Sequence, residues 1–191
     1  MSKSIYFAGE LFSSKHLLGN AVLAEQIEVA SKNRYSCVLP QALEQREVTA
    51  KSIRDQDYEA LLSCDAALFN FDGTELDSGT VAEFMAAKFA DIPSVVIRTD
   101  FRDGGDGGDD PWNLMLSYYP RTKVIVFDGM TLYKKEIQED RTQTEAVLAS
   151  LRKMAQDIVL GFDEVLASSE VLEEAERLES LELLKRTLGL Y

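Results

Sequence analysis

The sequence predicts an α/β fold built on a parallel sheet, and three observations carry the prediction. Short apolar runs of strand length alternate with longer runs whose apolar residues recur at helical spacing. Those short runs are predominantly apolar, as suits strands covered on both faces. With 46% hydrophobic residues in 191, the chain can fill one sizeable core.

Ile5-Tyr6-Phe7-Ala8, ended by Gly9, is the first buried strand, and a loop from Gly9 to Ser14 follows it. Leu17, Leu18, Ala21, Val22, Ala24, Ile27 and Val29 are interleaved with Asn20, Glu25, Gln26 and Glu28 and make a first crossover helix ending at Ala30. Tyr35 to Leu39 is a second strand, stopped by Pro40, which cannot donate to a sheet ladder. Val48 to Ser63 is a second helix with one wet face, its Ile53, Tyr58, Leu61 and Leu62 set among Arg54, Asp55, Gln56, Asp57 and Glu59. Ala66 to Phe71 is the third strand.

Asp72 to Glu83 links that strand to a helix over Val81 to Ala90. Pro93 opens a fourth, β-branched strand, Ser94 to Arg98. Thr99 to Asp110 is too rich in Gly and Asp to pack and reads as a mobile surface loop, a lid or an edge of a site. An aspartate cap followed by Pro111 at the first helical position predicts a short helix through Leu116. Lys123 to Phe127 is the fifth strand. From Ile137 onward the chain is helix-forming, with a break near Gly161-Phe162-Asp163 and a final amphipathic run from Val171 to Leu188.

Five βα units in succession argue a doubly wound five-stranded parallel sheet, Rossmann-like in its layers and flavodoxin-like in its order, with a helical C-terminal extension. No linker or repeat divides the chain. Residues 1–191 are expected to form a single domain, with 1–135 as the α/β core and 136–191 as the extension.

Composition limits the partners. Lys+Arg 20 against Asp+Glu 33 gives a net charge of -13, which repels nucleic-acid polymers and anionic membranes. Cys37 and Cys64 stand beside apolar residues with no Cys or His at metal-ligand spacing, so they read as buried, reduced thiols. No metal site and no cofactor is expected. No apolar run approaches the roughly 18 residues of a membrane span, and the N-terminus lacks a signal-like core, so the protein is expected to be cytoplasmic.

In a doubly wound sheet the carboxyl ends of strands one to three share an edge, which gathers Tyr6 and the Gly9 loop, Gln41 after Pro40, and the Asp72 to Glu83 stretch. That stretch holds four carboxylates, Asp72, Glu75, Asp77 and Glu83. Glu83 is placed in the first turn of its helix, where the macrodipole keeps a carboxylate ionised at neutral pH and able to act as a nucleophile. Spacing alone favours the plainer role of complementing the dipole. By the same criterion Asp77 is as readily a helix cap. Lys15 and His16 read as surface residues of the first loop.

The pieces Ile5-Tyr6-Phe7-Ala8-Gly9, Gln56-Asp57-Tyr58-Glu59-Ala60-Leu61, Asp72-Gly73, Asp77-Ser78-Gly79-Thr80-Val81-Ala82-Glu83 and Pro111-Trp112-Asn113-Leu114-Met115 together resemble the nucleoside 2-deoxyribosyltransferase family, in order and in spacing. The resemblance implies a double displacement on 2'-deoxynucleosides. Glu83 matches the nucleophile that attacks C1' and carries the deoxyribosyl group, and Tyr6 matches the tyrosine that orients it. Asp57 and Asp77 match the aspartates that engage the base, a general-acid role worth roughly 10² to 10⁴ in rate. Gln41, Gly9, Asp72 and Gly79 fall where the family shapes its substrate site, Gln41 only loosely. Asn113 matches an asparagine that reaches the sugar 5'-hydroxyl from a neighbouring subunit, which implies a homo-oligomer, dimer or hexamer, with shared sites. The implied partners are deoxynucleosides and free nucleobases.

Two other functions stand beside this one. A related branch hydrolyses deoxynucleoside 5'-monophosphates, but here Glu10-Leu11-Phe12 occupies the first loop, and an acid beside a phosphate is repulsive. Hydrolysis of unphosphorylated deoxynucleosides is the closer N-glycosidase alternative. The non-enzymatic one is a nucleoside-binding module on the same sheet.

Overall fold

The computed structural model describes residues 2–43, 49–102, 104–105, 110–137 and 141–190. Its strands are β1 (Lys3–Ala8), β2 (Tyr35–Val38), β3 (Ala66–Asn70), β4 (Ser94–Arg98) and β5 (Thr122–Val126). They pair in the order β2-β1-β3-β4-β5, and every pairing is parallel. The order reverses between β1 and β3, so the crevice expected of an open α/β sheet opens beyond the carboxyl ends of these two strands.

Residues along a strand alternate between faces, and each face is covered by its own helices. Ile5, Phe7, Leu68, Val95 and Ile97 pack with Leu23, Ala24 and Ile27 of α1 (Ser14–Ala30) and with Met154, Ala155, Ile158 and Phe162 of α5 (Gln143–Ala167). Tyr6, Ala8, Ala67, Phe69 and Val96 face the other way, against Leu61 of α2 (Ala50–Ser63) and Phe84, Ala86 and Ala87 of α3 (Ser78–Phe89). Leu181 and Leu184 of α6 (Glu174–Leu188) pack onto that second cluster from outside, so the leucine stripe of the last helix meets the body of the same chain. A flavodoxin-like α/β fold results.

Caps set where the helices begin. Ser13 accepts from the His16 amide and starts α1 at Ser14, three residues before the first periodic leucine. Thr49 accepts from the Ser52 amide and caps α2; Val48, assigned to this helix from sequence, lies outside the described residues. α3 begins at Ser78 rather than Val81 because the Asp77 side chain accepts from the Thr80 amide.

Other expectations need correction. The short helix foreseen from Pro111 is only a 3₁₀ turn, Leu114–Leu116, and its cap is Asn113, whose side chain accepts from the Met115 amide. A nine-residue helix, α4 (Gly129–Ile137), was not foreseen. The break placed at Gly161-Phe162-Asp163 is absent, and α5 runs through it. A Cβ on Gly161 would lie 3.2 Å from Ile125 Cδ1 and 3.3 Å from Val95 Cγ2, so this glycine serves close approach of α5 to the sheet. The chain breaks instead at Ser168, the C-cap of α5. Within the residues set apart from sequence as an extension, α5 supplies much of one core. Cys37 and Cys64 are free and half-buried rather than fully buried. Of the Gly/Asp loop, Asp103 and residues 106–109 lie outside the described residues. No helix among those described is long and apolar enough to cross a membrane.

Candidate active site

The loop from β3 into α3 is shaped by its own residues. Gly73 has φ +106°, and a Cβ there would stand 2.8 Å from the Glu75 carbonyl oxygen, so the turn requires glycine. Asp72 clasps the neighbouring loop: it accepts from the Thr99 amide at 2.5 Å, the Thr99 hydroxyl at 2.7 Å and the Asp100 amide at 2.8 Å. Asp77 Oδ2 accepts from the Thr80 amide at 2.8 Å and the Thr80 hydroxyl at 2.9 Å. A Cβ on Gly79 would come within 3.1 Å of that same Oδ2, so Gly79 leaves room for the cap. Gly9 closes β1 against β3, since a Cβ there would meet Asn70 Cβ at 3.1 Å.

This framework sets Glu83 over the end of β1. Tyr6 is fully buried in β1 with its ring on the α2–α3 face, and its hydroxyl donates to Glu83 Oε1 at 2.7 Å. Burial pushes the Glu83 carboxyl up to about 7; the charges of Asp57 and Asp77 add to the rise, and the Tyr6 hydrogen bond opposes it. Burial also raises Asp57, and it raises Tyr6 strongly, with Glu83 and Asp57 contributing to the tyrosine's shift. Tyr6, Asp57, Asp77 and Glu83 thus share one electrostatic neighbourhood. Two expectations are corrected here. Glu83 lies in the second turn of α3, whose first turn holds no acid, and it is poised near half-ionisation at neutral pH instead of being held ionised by the helix dipole. Desolvation is the largest influence on its proton.

The hydrogen bonds of Gln41 and Asn113 are made away from this cluster. Gln41, in the 3₁₀ turn Pro40–Ala42 after β2, donates through Nε2 to the Leu17 carbonyl at 2.8 Å, and its buried Oε1 has no partner among the described residues. Asn113 is exposed and spends its side-chain oxygen on the Met115 amide at 2.9 Å. It lines a cleft of about 640 Å³ together with Gly73, Leu76, Val81, Arg98 and Trp112. Tyr6 and Glu83 are not among the residues lining that cleft.

Two residues escaped the sequence reading. Tyr58, next to Asp57, has its hydroxyl pushed up by burial and by the Glu83 charge. Arg98 is 2% exposed and donates to the Phe71 carbonyl at 2.6 Å, holding the end of β4 to the loop that carries Asp72. An arginine closing a β-branched run was the available signal.

Together these features define a flavodoxin-like α/β protein in which a buried tyrosine is paired with a half-buried carboxyl group. The chain matches the nucleoside 2-deoxyribosyltransferase family over residues 5–115, more than half its length, and it belongs to that family. Among solved structures, a conserved protein from Enterococcus faecalis V583 is similar at 25% identity and TM-score 0.53, covering 86% of this chain and 99% of that one. A 2-desoxiribosyltransferase from Leishmania mexicana shares the fold at 21% identity and TM-score 0.51, covering 73% and 99% of the two chains. A 2-deoxyribosyltransferase from the psychrotolerant bacterium Bacillus psychrosaccharolyticus is similar at 17% identity and TM-score 0.48, covering 74% and 94%. No curated protein matches the chain.

Proposed function

We propose that the protein transfers the 2-deoxyribosyl group between purine and/or pyrimidine bases of 2'-deoxynucleosides, with Glu83 as the covalent carrier. The observation that carries this reading is the 2.7 Å hydrogen bond from buried Tyr6 to half-buried Glu83 in a chain of this family. The bond stabilises the ionised carboxylate and engages one oxygen, and in this reading the other makes the attack.

In the proposed reaction Glu83 acts as the carboxylate, and Asp57, whose carboxyl burial raises, supplies the proton. A Glu83 oxygen attacks C1', the C1'–N bond breaks, and its electron pair passes to the base, which takes the Asp57 proton. An incoming base then attacks C1' through a ring nitrogen, returns a proton to Asp57 and displaces Glu83. Asp77 keeps α3 in register through its Thr80 contacts while its second oxygen remains for the base. Gln41, Gly9, Asp72 and Gly79 complete the walls.

A neighbouring copy supplies Asn113 to each site in this account. Asn113 stands beside Leu114, Met115 and Tyr118, which are 53%, 69% and 74% exposed, a surface suited to a subunit contact. Nucleoside salvage in the cytoplasm is the setting such chemistry serves. The test is a base-exchange panel in which deoxyinosine or thymidine is mixed with free adenine and the protein. Deoxyadenosine formation, abolished in Glu83→Ala, is expected. Free deoxyribose without exchange would replace this reading with hydrolysis, and inertness toward both would replace it with nucleoside binding.

A further inference from the structure

The end of α3 away from Glu83 carries a lysine that the site does not use. Lys88 Nζ donates to the Ile92 carbonyl at 2.8 Å and to Thr122 Oγ1 at 3.0 Å, just before β4 and at the start of β5, and it lies 5.9 Å from the Phe84 ring centroid. Thr122 spends its own hydroxyl hydrogen on the Pro120 carbonyl at 3.0 Å. Toward Lys88 it is therefore an acceptor. A neutral amine held this way uses both hydrogens as donors and keeps its lone pair free.

The charges around Lys88 do little to keep it protonated. Asp91 bears on it, but Asp91 Oδ2 already accepts from Arg121 Nη1 at 2.9 Å, the Val171 amide at 3.0 Å and the Leu172 amide at 3.3 Å. Arg121 presents a like charge from the β5 side, and Glu176 of α6 lines the same space. Lys88 forms no ion pair among the described residues. Burial draws its ammonium down to about 7, against the pull of Asp91 and with the push of Arg121.

Lys88 also lines a cavity of about 390 Å³ whose walls include Met85, Phe89, Tyr119 and Leu172. Such a volume accepts a small organic molecule whole, and these walls suit an apolar one. We infer that Lys88 is a carbonyl-binding site, condensing reversibly with a small apolar aldehyde held between α3 and the start of α6. The nitrogen lone pair adds to the carbonyl carbon while the C=O π pair moves to oxygen, which takes up a proton released by nitrogen. Loss of the second N–H proton and of hydroxide, together as water, leaves the imine. No oxidant or reductant is consumed.

The test is reductive trapping on the intact protein with benzaldehyde and cyanoborohydride, followed by peptide mass mapping. At pH 7 an amine near pKa 7 is half neutral, whereas an ordinary lysine is so to about one part in a few thousand. Lys88 is therefore expected to label at least about ten-fold faster than exposed Lys15 and Lys32, with a pH profile centred near 7. Labelling of Lys88 no faster than the exposed lysines would overturn the inference. A parallel run with glyoxylate, an anionic aldehyde, is expected to lose the preference for Lys88, and an equal preference would overturn the apolar class.

Discussion

The Tyr6 hydroxyl stands 2.7 Å from Glu83 Oε1 and donates to it, linking the first strand of the sheet to the second turn of the helix that follows β3. Removing that donor in Tyr6→Phe leaves the ring in the core but withdraws a bond to a charged group worth about 1.5–3 kcal/mol. Under the proposed mechanism, kcat for base exchange falls roughly 10- to 100-fold and the acid limb of the pH profile moves upward. Steady-state kinetics across pH, with circular dichroism to confirm the fold, checks both.

Glu83 also sets a pH dependence of stability. Its folded pKa, about 7, is raised above the ordinary 4.5, so the folded state binds the proton more tightly than the unfolded chain. Stability from this group is present below the unfolded value and is lost as pH rises through about 7. Glu83→Gln, neutral throughout, is expected to be more stable than the wild type at pH 8 by roughly 1–3 kcal/mol, discounted for partial exposure, with the advantage gone near the unfolded pKa of 4.5. Urea unfolding at the two pH values measures the difference.

Asp77 separates a cap from a charge. Asp77→Ala removes the acceptor for the Thr80 amide and is expected to cost about 0.5–2 kcal/mol. Asp77→Asn keeps an acceptor and should restore most of that stability while leaving base exchange impaired, since the proposed role needs a carboxyl group. Thermal unfolding and exchange kinetics on both variants check the split.

Asp72 is expected to act on the loops more than on any single contact. Asp72→Ala releases the Thr99 and Asp100 amides and the Thr99 hydroxyl together. Hydrogen exchange should quicken at Thr99 and Asp100, while the central residues of β3 and β4 keep their protection.

Much of this was legible in the sequence. Predominantly apolar runs marked all five strands, and the order of βα units placed Tyr6 and the Asp72 to Glu83 stretch at one edge, where the structure joins them. What sequence could not carry was desolvation. Glu83 near a helix start reads as an ionised acid until Phe84, Tyr6 and the sheet are packed around it, after which burial governs its proton. Gly161 read as a breaker because a glycine pattern does not distinguish a turn from a close approach, and only Val95 and Ile125 beneath it decide which. Asn113 read as a helical residue because Pro111 is an acceptable helix start. Its own side chain caps a single 3₁₀ turn instead.

The most direct measurement is capture of the sugar on the enzyme. Protein mixed with a deoxynucleoside, quenched in acid within the first turnover and digested, is examined for a deoxyribosyl adduct by peptide mass mapping. The proposed mechanism predicts an adduct on Glu83 that is absent from Glu83→Ala and that disappears from the wild type when a second base is added before the quench. Base exchange proceeding with no adduct, or with the sugar on another residue, would contradict it.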